Sequence, residues 1–418
     1  MPVLRNVGTL VTPPRPRTQD EATPLRKIED AAVAWSGDTI DWIGPASEQP
    51  SDVDEDTVYD ADGGVVIPGL IDCHTHLAFG GWRADEFAMR LQGRTYLEIA
   101  KAGGGIASTM RKTRAASEDE LHDRCQNFLR SIGQLGVTTV EAKSGYGLTV
   151  EDELKQLRVY RRLQSSQPLD IVPTFLGAHT VPPEYEDDRE GYLDLVRDEM
   201  IPRVARENLA EFCDAFVEES AFSVEEARRL FDTARAHGLR PKLHADQLTD
   251  TGGAALAASV NAASADHLEC VSDDGIDALA ESETVAVSLP LATLYLDEFP
   301  LPARALLDAG VPVAVATDFN PGSAPSYHLP LAMMLACTLQ RMTPSEALAG
   351  ATRCAAAALD RADTIGSLAP GMRADFAVID APSLNHWLYH FRPNATTMTF
   401  AGGAPISPRS NHEGPDGP

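Results

Sequence analysis

The sequence has few lysines, no paired cysteines and no long apolar segment. None of its runs approaches the roughly 20 apolar residues that a membrane span needs, and no apolar stretch typical of a signal peptide follows Met1. The six cysteines are scattered without a Cys-x-x-Cys pair, which argues against a disulfide framework or a zinc knuckle. We therefore expect a cytoplasmic protein with reduced thiols.

Positive charge is scarce throughout the chain. Lysine and arginine together number 35 against 62 acidic residues, so the net charge of the 418 residues is −27. Such a surface repels nucleic acid and anionic membranes, and we expect neither as a partner. An ordinary acidic enzyme can have this composition. We favour a halophilic protein in a high-salt cytoplasm, because salt screens the self-repulsion.

Strand-like segments alternate with helical patterns through the middle of the chain. The alternation predicts an α/β fold, a distorted (β/α)₈ TIM barrel. An open doubly wound sheet is the alternative, but no G-x-G-x-x-G dinucleotide turn follows an early strand. Capping boxes at Ser223–Glu226 and Thr343–Glu346 predict two helix starts. The predicted strands are the run beginning at 66 and then 137–141, 171–176, 212–217, 241–243, 263–266, 284–289 and 311–317.

Short strands at both ends of the chain flank this central region. They cannot form a core alone, so we expect residues 1–66 and 367–418 to make one small β-sandwich domain beside a barrel of residues 67–366. Residues 13–23, rich in proline, arginine and threonine, are expected to be a loop. The polar residues from Ser407 onward are expected to be frayed.

Histidines and one aspartate follow the predicted barrel strands. His74 and His76 are spaced i, i+2, so their side chains point to the same side of a strand. Barrel enzymes place their chemistry at the carboxyl ends of the strands. Three imidazoles and one carboxylate suit Zn²⁺, with Fe²⁺ and Mn²⁺ as the alternatives. This predicts metal-assisted hydrolysis of a C–N bond or an ester. The candidates are His74, His76, His179, His244, His267 and Asp318, with Asp318 or His267 as the base.

A second metal ion would need a bridging ligand such as a carboxylated lysine. Lys143 is interpreted as the only lysine near a strand end, so it is the candidate for such a bridge. Glu218 and Glu219 are further possible ligands and keep the option of a binuclear centre open. We favour a structural or substrate-side role for Lys143.

Several longer motifs carry a resemblance to a known family. The sequence resembles the amidohydrolase superfamily and, within it, the imidazolonepropionase family of histidine degradation. The broad match consists of the His74-x-His76 strand, His244, His267, Asp318, the terminal β-sandwich and the signature that runs from GSLAPG at 366–371 to Asp375. The narrow match consists of HTHLAFGGWR at 74–83, AGGGI at 102–106, KSGYGL at 143–148, GAH at 177–179 and DFNPGS at 318–323.

The resemblance implies a site as well as a fold. It implies one Zn²⁺ or Fe²⁺ per chain, held by His74, His76, His244 and Asp318. It also implies a substrate-binding set of Arg83, Tyr146, His179 and Gln247, with Asn320, Gly322 and Ser323 lining the product side. The alternative role of Arg83 is a local ion pair with Asp85 or Glu86, without contact to the substrate. Some family members have glutamate where this chain has Gln247, and a neutral amide cannot accept a proton. Gln247 is therefore assigned to hydrogen-bonding the substrate ring.

The implied reaction opens the cyclic amide of 4-imidazolone-5-propanoate to N-formimidoyl-L-glutamate. In it, Asp318 or His267 moves the proton, and His179 or His267 polarises or protonates the substrate. A mononuclear deaminase of a purine-like heterocycle is the nearest alternative, and a metal-free barrel scaffold is a more distant one. The sequence also leaves a homodimer open.

Overall fold

The computed structural model describes residues 1–15, 25–51, 54, 57–94, 98 and 103–406. Residues 16–23 of the predicted loop, Ala102 of the glycine run and the predicted frayed end from Ser407 lie outside the described residues. In the described part of the chain, no helix is both long and apolar enough to cross a membrane.

The strands of the described residues form two sheets. In chain order they are β1 (Val3–Thr12), β2 (Arg26–Ser36), β3 (Thr39–Pro45), β4 (Val58–Asp60), β5 (Val65–Pro68), β6 (Leu70–Asp72), β7 (Val137–Lys143), β8 (Asp170–Ala178), β9 (Phe212–Val217), β10 (Arg240–Ala245), β11 (Ser264–His267), β12 (Val285–Ser288), β13 (Val313–Val315), β14 (Phe376–Ile379), β15 (Thr396–Ala401) and β16 (Ala404–Pro405).

Helices fill the connections between the strands of the second sheet. The α-helices are Ala84–Leu91, Ile106–Ala115, Glu118–Gly133, Val150–Leu163, Arg189–Asp194, Ile201–Arg206, Val224–Ala236, Gly253–Ser259, Asp273–Ala280, Pro290–Leu296, Ala303–Asp308, Leu329–Gln340, Pro344–Ala349, Ala355–Ala357 and Leu384–Tyr389. Short 3₁₀ turns lie at Ala46–Glu48 and Pro183–Tyr185, and π-helical turns at Leu195–Met200 and Gly350–Cys354. Both predicted capping boxes are confirmed, at Ser223–Glu226 and Thr343–Glu346.

The first sheet joins both ends of the chain, as predicted. Its order is β16-β15-β14-β5-β1-β2-β3, with β4 also paired to β1. Trp35 of β2 packs edge-on against Phe376 of β14 and Phe400 of β15, with ring centroids 5.2 and 5.5 Å away. Since β5 and β1 lie between β14 and β2 in the sheet, these contacts require the sheet to fold over itself. The folded sheet has its own apolar core, as expected of a small sandwich.

The second sheet is the predicted barrel. Strands β6 to β13 pair in parallel and in chain order. The residues after β13 return to those after β6, where Thr75 and Phe319 form a parallel bridge and the Asp318 amide donates to the His74 carbonyl at 3.0 Å. These contacts close the barrel. The fold prediction is confirmed, and the carboxyl ends of all eight strands meet at one rim.

The run beginning at residue 66, predicted as a single strand, is two strands in different sheets. Val65–Pro68 pairs with β14 and β1, whereas Leu70–Asp72 pairs with β7. Gly69 stands between them, and a Cβ there would collide with the Thr138 side chain. The chain therefore passes from one sheet to the other at a position where only glycine fits. The division of the chain into domains at residues 66 and 367 stays a prediction.

Candidate metal centre and substrate pocket

Four of the predicted ligands come together at the rim of the barrel. The Nε2 atoms of His74 and His76 each lie 3.4 Å from Oδ1 of Asp318. The Nε2 atoms of His76 and His244 lie 3.3 Å apart. All four side chains are buried. Burial lowers the pKa of His76 and of His244, which favours their neutral forms. Burial and Lys143 also lower the pKa of His74, but Asp266 and Asp318 outweigh them and raise it to about 9 in the absence of a metal ion.

These distances fit a divalent ion. Four donors about 2.1 Å from one tetrahedral ion lie roughly 3.4 Å from each other. The Nε2 atom of His74 is buried without a hydrogen-bond partner among the described residues. Potential ligand atoms lie within 4.8 Å of one another in two triplets: His74, His76 and His244 form one, and His74, His267 and Asp318 form the other. The donor set therefore suits a metal ion, with His267 as the competing ligand.

Two buried aspartates fix the orientation of two of these imidazoles. Asp266 Oδ2 lies 2.6 Å from Nδ1 of His74, and Asp214 Oδ1 lies 3.1 Å from Nδ1 of His244. Burial opposes the ionisation of Asp214, but His244 and Lys143 outweigh it and hold the pKa of Asp214 well below its usual range. An ionised carboxylate accepts a hydrogen bond from Nδ1–H, which leaves the Nε2 lone pair for a metal ion.

Lysine ammonium groups lie beneath this layer. Lys143 Nζ is 2.7 Å from Asp214 and 2.8 Å from Glu141, and these anions raise its pKa despite burial. Lys143 is thus held as a charged ion-pair partner, which is the structural role expected of it and not that of a carboxylated bridge. Lys242, at the centre of β10, is a second buried lysine of the barrel.

The other acidic residues considered for a second metal ion are engaged elsewhere. Glu218 accepts hydrogen bonds from the amide of Leu248 at 2.9 Å and from the hydroxyl of Thr249. It therefore holds the loop after β10. Among the described residues, neither Glu218 nor Glu219 belongs to a triplet of potential metal ligands.

Sequence reasoning missed the charged residues inside the strands. Glu141, Asp214, Lys242 and Asp266 are fully buried within otherwise apolar strands. A charged residue in the middle of an apolar strand is itself a signal, because such a group is buried only when it is paired. Apart from Lys143, which shares β7 with Glu141, their partners could not be predicted, because those partners lie on other strands.

His267 stands at the end of β11 in an unusual conformation. Its φ is +80° and that of Leu268 is +66°, in the left-handed region that costs a non-glycine residue of order 1 kcal/mol. Nδ1 of His267 lies 3.6 Å from Oε2 of Glu269. Burial lowers the pKa of His267, but Glu269 outweighs it and the net shift is upward. The hydroxyl of Thr293 in turn donates to Glu269 at 2.9 Å.

His179 and Tyr146 form a wall beside the metal ligands. The His179 ring stacks on His76 at a centroid distance of 5.2 Å, and Tyr146 lies 5.4 Å from His179. Burial, with the nearby His76, lowers the pKa of His179 to about 3. Nδ1 of His179 lies 2.9 Å from the carbonyl oxygen of Gly145, so the neutral ring donates there and keeps an acceptor at Nε2.

Arg83 contacts both its neighbour Glu86 and the loop after β13. Nε of Arg83 donates to Glu86 Oε2 at 2.9 Å, which is the expected alternative of a local ion pair, whereas Asp85 makes no such pair among the described contacts. The opposite side of the guanidinium lies against Gly322, where a Cβ would collide with Nη1. The structure thus brings Arg83 to the loop that contains Gly322.

Asn320 organises that loop from within. Its Oδ1 accepts from the amides of Gly322 and Ser323 at 2.7 and 2.8 Å, and its Nδ2 donates to Ser323 Oγ at 2.8 Å. The hydroxyl of Ser323 lies 3.5 Å from Oδ2 of Asp318. Oδ2 therefore points to the loop, while Oδ1 points to the histidines.

Gln247 is buried after β10, close to an acidic group that sequence reasoning did not consider. Burial and the nearby Glu269 raise the pKa of Glu298 to about 7, whereas a side-chain hydrogen bond from Gln247 opposes this. Oε2 of Glu298 is buried without a hydrogen-bond partner in the described part of the structure. Gln247, Glu269 and Glu298 thus form an acidic side of the pocket.

Comparisons with known proteins show the family of the chain. The amidohydrolase family pattern matches residues 99–395. An imidazolonepropionase of Geobacillus thermodenitrificans is 48% identical over 392 residues, which cover 93% of this chain and 92% of that protein. One of Pseudomonas syringae is 52% identical over 365 residues, or 86% and 91% of the two chains. One of Fusobacterium nucleatum is 45% identical over 415 residues, or 96% and 97%.

Solved structures share the fold at much lower identity. Escherichia coli guanine deaminase superposes with a TM-score of 0.74 at 16% identity, covering 98% of this chain and 99% of that one. A 5-methylcytosine deaminase of Klebsiella pneumoniae gives 0.72 at 16% identity, covering 97% and 98%. These likenesses concern the fold alone. The sequence relationships are far closer, and by them the chain belongs to the imidazolonepropionase family of the amidohydrolases.

Proposed function

We propose that the protein hydrolyses the cyclic amide of 4-imidazolone-5-propanoate to N-formimidoyl-L-glutamate in histidine degradation. The observation that carries this proposal is that a set of possible metal ligands and the guanidinium of Arg83 lie at the same rim of the barrel. The donors His74, His76, His244 and Asp318 lie 3.3 to 3.4 Å from their neighbours in the set. Water adds to the ring carbonyl carbon, the C–N bond of the amide breaks, and the leaving nitrogen takes up a proton.

One Zn²⁺ or Fe²⁺ per chain is the proposed cofactor, because both accept three imidazoles and a carboxylate. Such an ion supplies Lewis acidity, which activates a water molecule and polarises the ring carbonyl. Asp318 is the proposed base, since its Oδ2 faces away from the ligand histidines. His267 is the alternative base, and its partner Glu269 favours a proton on the ring.

The pocket walls are proposed to bind the substrate ring. His179 offers an acceptor at Nε2 to a ring N–H and polarises the ring through this contact. Gln247 donates or accepts a hydrogen bond without taking a proton. Tyr146, which lies beside both His76 and His179, packs on the ring.

The propanoate group is proposed to lie between Arg83 and the loop that contains Gly322 and Ser323. A guanidinium binds a carboxylate through two parallel hydrogen bonds. Asn320 keeps the backbone amides of this loop in place through its own hydrogen bonds. On release, the same groups line the product side.

The setting of the enzyme is also a proposal. We propose a high-salt cytoplasm, supported by the net charge of −27 and by cysteines that form no disulfide among the described residues. A small molecule is the proposed partner, without nucleic acid or membrane. A homodimer is compatible with this proposal.

The direct test follows the ultraviolet absorbance of freshly prepared 4-imidazolone-5-propanoate with metal-loaded protein. Because the compound decays spontaneously, a His74→Ala variant runs alongside. We expect faster loss with the wild type and N-formimidoyl-L-glutamate as the product. Equal rates for the two proteins, despite one bound ion in the wild type, would refute the proposed substrate and favour the deaminase alternative.

A further inference from the structure

Two buried lysines lie beneath the metal centre, and they contact different groups. Lys143 Nζ lies 2.7 Å from Oδ2 of Asp214 and 3.4 Å from Oδ2 of Asp266. Lys242 Nζ lies 3.2 Å from the carbonyl oxygen of Cys73 and 3.6 Å from Glu141. Both side chains are fully buried. The pair therefore offers two similar charges with distinct partners.

The carboxylates that Lys143 joins each hold one imidazole of the donor set. Asp266 contacts Nδ1 of His74 at 2.6 Å, and Asp214 contacts Nδ1 of His244 at 3.1 Å. The same oxygen of Asp266 faces both His74 and Lys143. One ammonium group thus lies at the centre of a chain of contacts that runs from one imidazole to the other.

A metal-binding histidine needs its other nitrogen protonated and held, because this fixes the tautomer and the orientation of the ring. If the carboxylate behind the ring turns, the proton can move to the nitrogen that should bind the ion. An ammonium with three donors can hold two carboxylates at once.

We propose that Lys143 is a positioning residue of the metal centre: through Asp214 and Asp266 it holds His244 and His74 with Nδ1 protonated, so that both Nε2 lone pairs face one divalent ion. This inference rests on the ligand set of the proposed function. Lys242 balances the charge of Glu141 and supports the strand before His74, without holding an imidazole.

Two double variants of equal net charge separate the role of Lys143 from that of Lys242. Glu141 contacts both lysines, at 2.8 Å from Lys143 and 3.6 Å from Lys242. Removing Glu141 together with either lysine therefore deletes one positive and one negative charge, so the two double variants have the same net charge and differ in which lysine is lost. The variants are Lys143→Met/Glu141→Gln and Lys242→Met/Glu141→Gln, with Glu141→Gln as their common reference.

The measured quantity is the Zn²⁺ dissociation constant of the metal-free protein, in competition with a chromophoric chelator. We expect the Lys143 double variant to bind Zn²⁺ about 10- to 100-fold more weakly than Glu141→Gln, and the Lys242 double variant to stay within about threefold of it. Equal losses in the two double variants would overturn the proposal. A wild type that binds no Zn²⁺, or a His74→Ala variant that binds as tightly, would instead refute the proposed metal site.

A second measurement needs no variant to fold. In metal-free wild type with ¹⁵N-labelled histidine, the ring nitrogen shifts of His74 and His244 report which nitrogen carries the proton. The spectra are recorded at a pH above the raised pKa of His74, where both rings are neutral. We expect Nδ1–H for both neutral rings, and a neutral Nε2–H tautomer at either residue would overturn the proposal. Circular dichroism shows whether the double variants fold. If they fold, their Zn²⁺ dissociation constants test the proposal; if they do not, the NMR measurement on the wild type tests it.

Discussion

Oδ2 of Asp266 lies 2.6 Å from Nδ1 of His74, so a residue at the end of β11 sets the direction of a ligand that follows β6. The contact spans almost half of the chain in sequence and joins two strands that are not neighbours in the barrel. It has two consequences: the imidazole cannot rotate without losing a buried hydrogen bond, and the carboxylate cannot be replaced without freeing the imidazole.

The first prediction separates the two potential ligand triplets. His244→Ala should retain less than a tenth of an equivalent of metal, because His244 completes the set with His74 and His76. His267→Ala should retain about one equivalent, since His267 acts on the reaction and not on the ion. The measurement is metal content by mass spectrometry after dialysis. Both histidines are buried at strand ends, so each variant controls for the other, and the reverse result would make His267 the ligand.

The second prediction concerns recognition of the substrate carboxylate. Arg83→Ala should raise KM for 4-imidazolone-5-propanoate about 10- to 100-fold with a smaller effect on kcat, because a charge-assisted pair is lost. Steady-state kinetics provide the measurement. Arg90→Ala, on the helix that follows Arg83, is the matched control, since Arg90 packs on Tyr295. An enzyme acting on a heterocycle without a carboxylate would show no such change.

A substitution at Gly322 tests the role of Arg83 in a second way. A Cβ at this position meets the end of the Arg83 side chain, which can move aside without disturbing the fold. Gly322→Ala should therefore raise KM as well and leave the melting temperature unchanged. The effects of the two substitutions should not add, since both act on one guanidinium. Additive effects would show that Gly322→Ala changes KM by a route other than the Arg83 guanidinium.

The third prediction addresses the amide at position 247. Gln247→Glu should leave kcat within about threefold of the wild type or below it, because a further carboxylate beside Glu269 and Glu298 would hold a proton and be a poor base. Gln247→Met, which keeps the length of the side chain, should raise KM by loss of the hydrogen bond. A large rise in kcat for Gln247→Glu would show that proton transfer at this position limits the wild type.

The fourth prediction follows from the acidic composition. Raising KCl from about 0.1 to about 2 M should increase the melting temperature by about 5 °C, because salt screens repulsion among charges that sum to −27. Activity should persist over the same range. Scanning calorimetry and the absorbance assay measure the two quantities. Loss of both as salt approaches molar levels would contradict adaptation to high salt.

The fifth prediction uses a buried carboxyl group far from the metal. Burial raises the pKa of Asp375 from 3.8 to about 6. The folded state therefore holds a proton that the unfolded state releases, and the wild type loses stability as the pH rises from about 4 to about 6. Asp375→Asn cannot ionise and keeps the acceptor for the Gly402 amide. Relative to the wild type, the variant should gain up to about 3 kcal/mol between about pH 4 and about pH 7.

Urea denaturation at each pH measures this difference. Asp380→Asn serves as a control, because Asp380 is an exposed aspartate at the end of the same region, paired with Arg392. A constant difference between Asp375→Asn and wild type across the pH range would show that Asp375 is ionised equally in both states.

The sequence was sufficient to predict the barrel and the residues at its rim. Apolar segments of strand length identified the strands. The rule that strand ends meet at one rim then placed His74, His244 and Asp318 together, although these residues are far apart in the chain. Such reasoning depends on local patterns and on one global property of the fold, which is why it succeeded.

What it could not predict depends on pairing between strands distant in sequence. The contacts of Lys143 with Asp214 and Asp266 require the registers of three strands, which no local pattern contains. The change of sheet at Gly69 could not be predicted from the apolar run around it, because the segments before and after Gly69 are equally buried. The loop contact between Arg83 and Gly322 requires two loops to meet, and loops carry no periodicity.

The closure of the barrel determines when the site can form. Asp318 supplies the last donor and lies beside the bridge between Thr75 and Phe319, whereas His74 is made early in synthesis. A chain emerging from the ribosome therefore carries an incomplete set of donors until most of it has been translated. Contacts this distant in sequence also form slowly, because the intervening chain must be ordered first. The full set of four donors therefore exists only in chains that have been translated past Asp318.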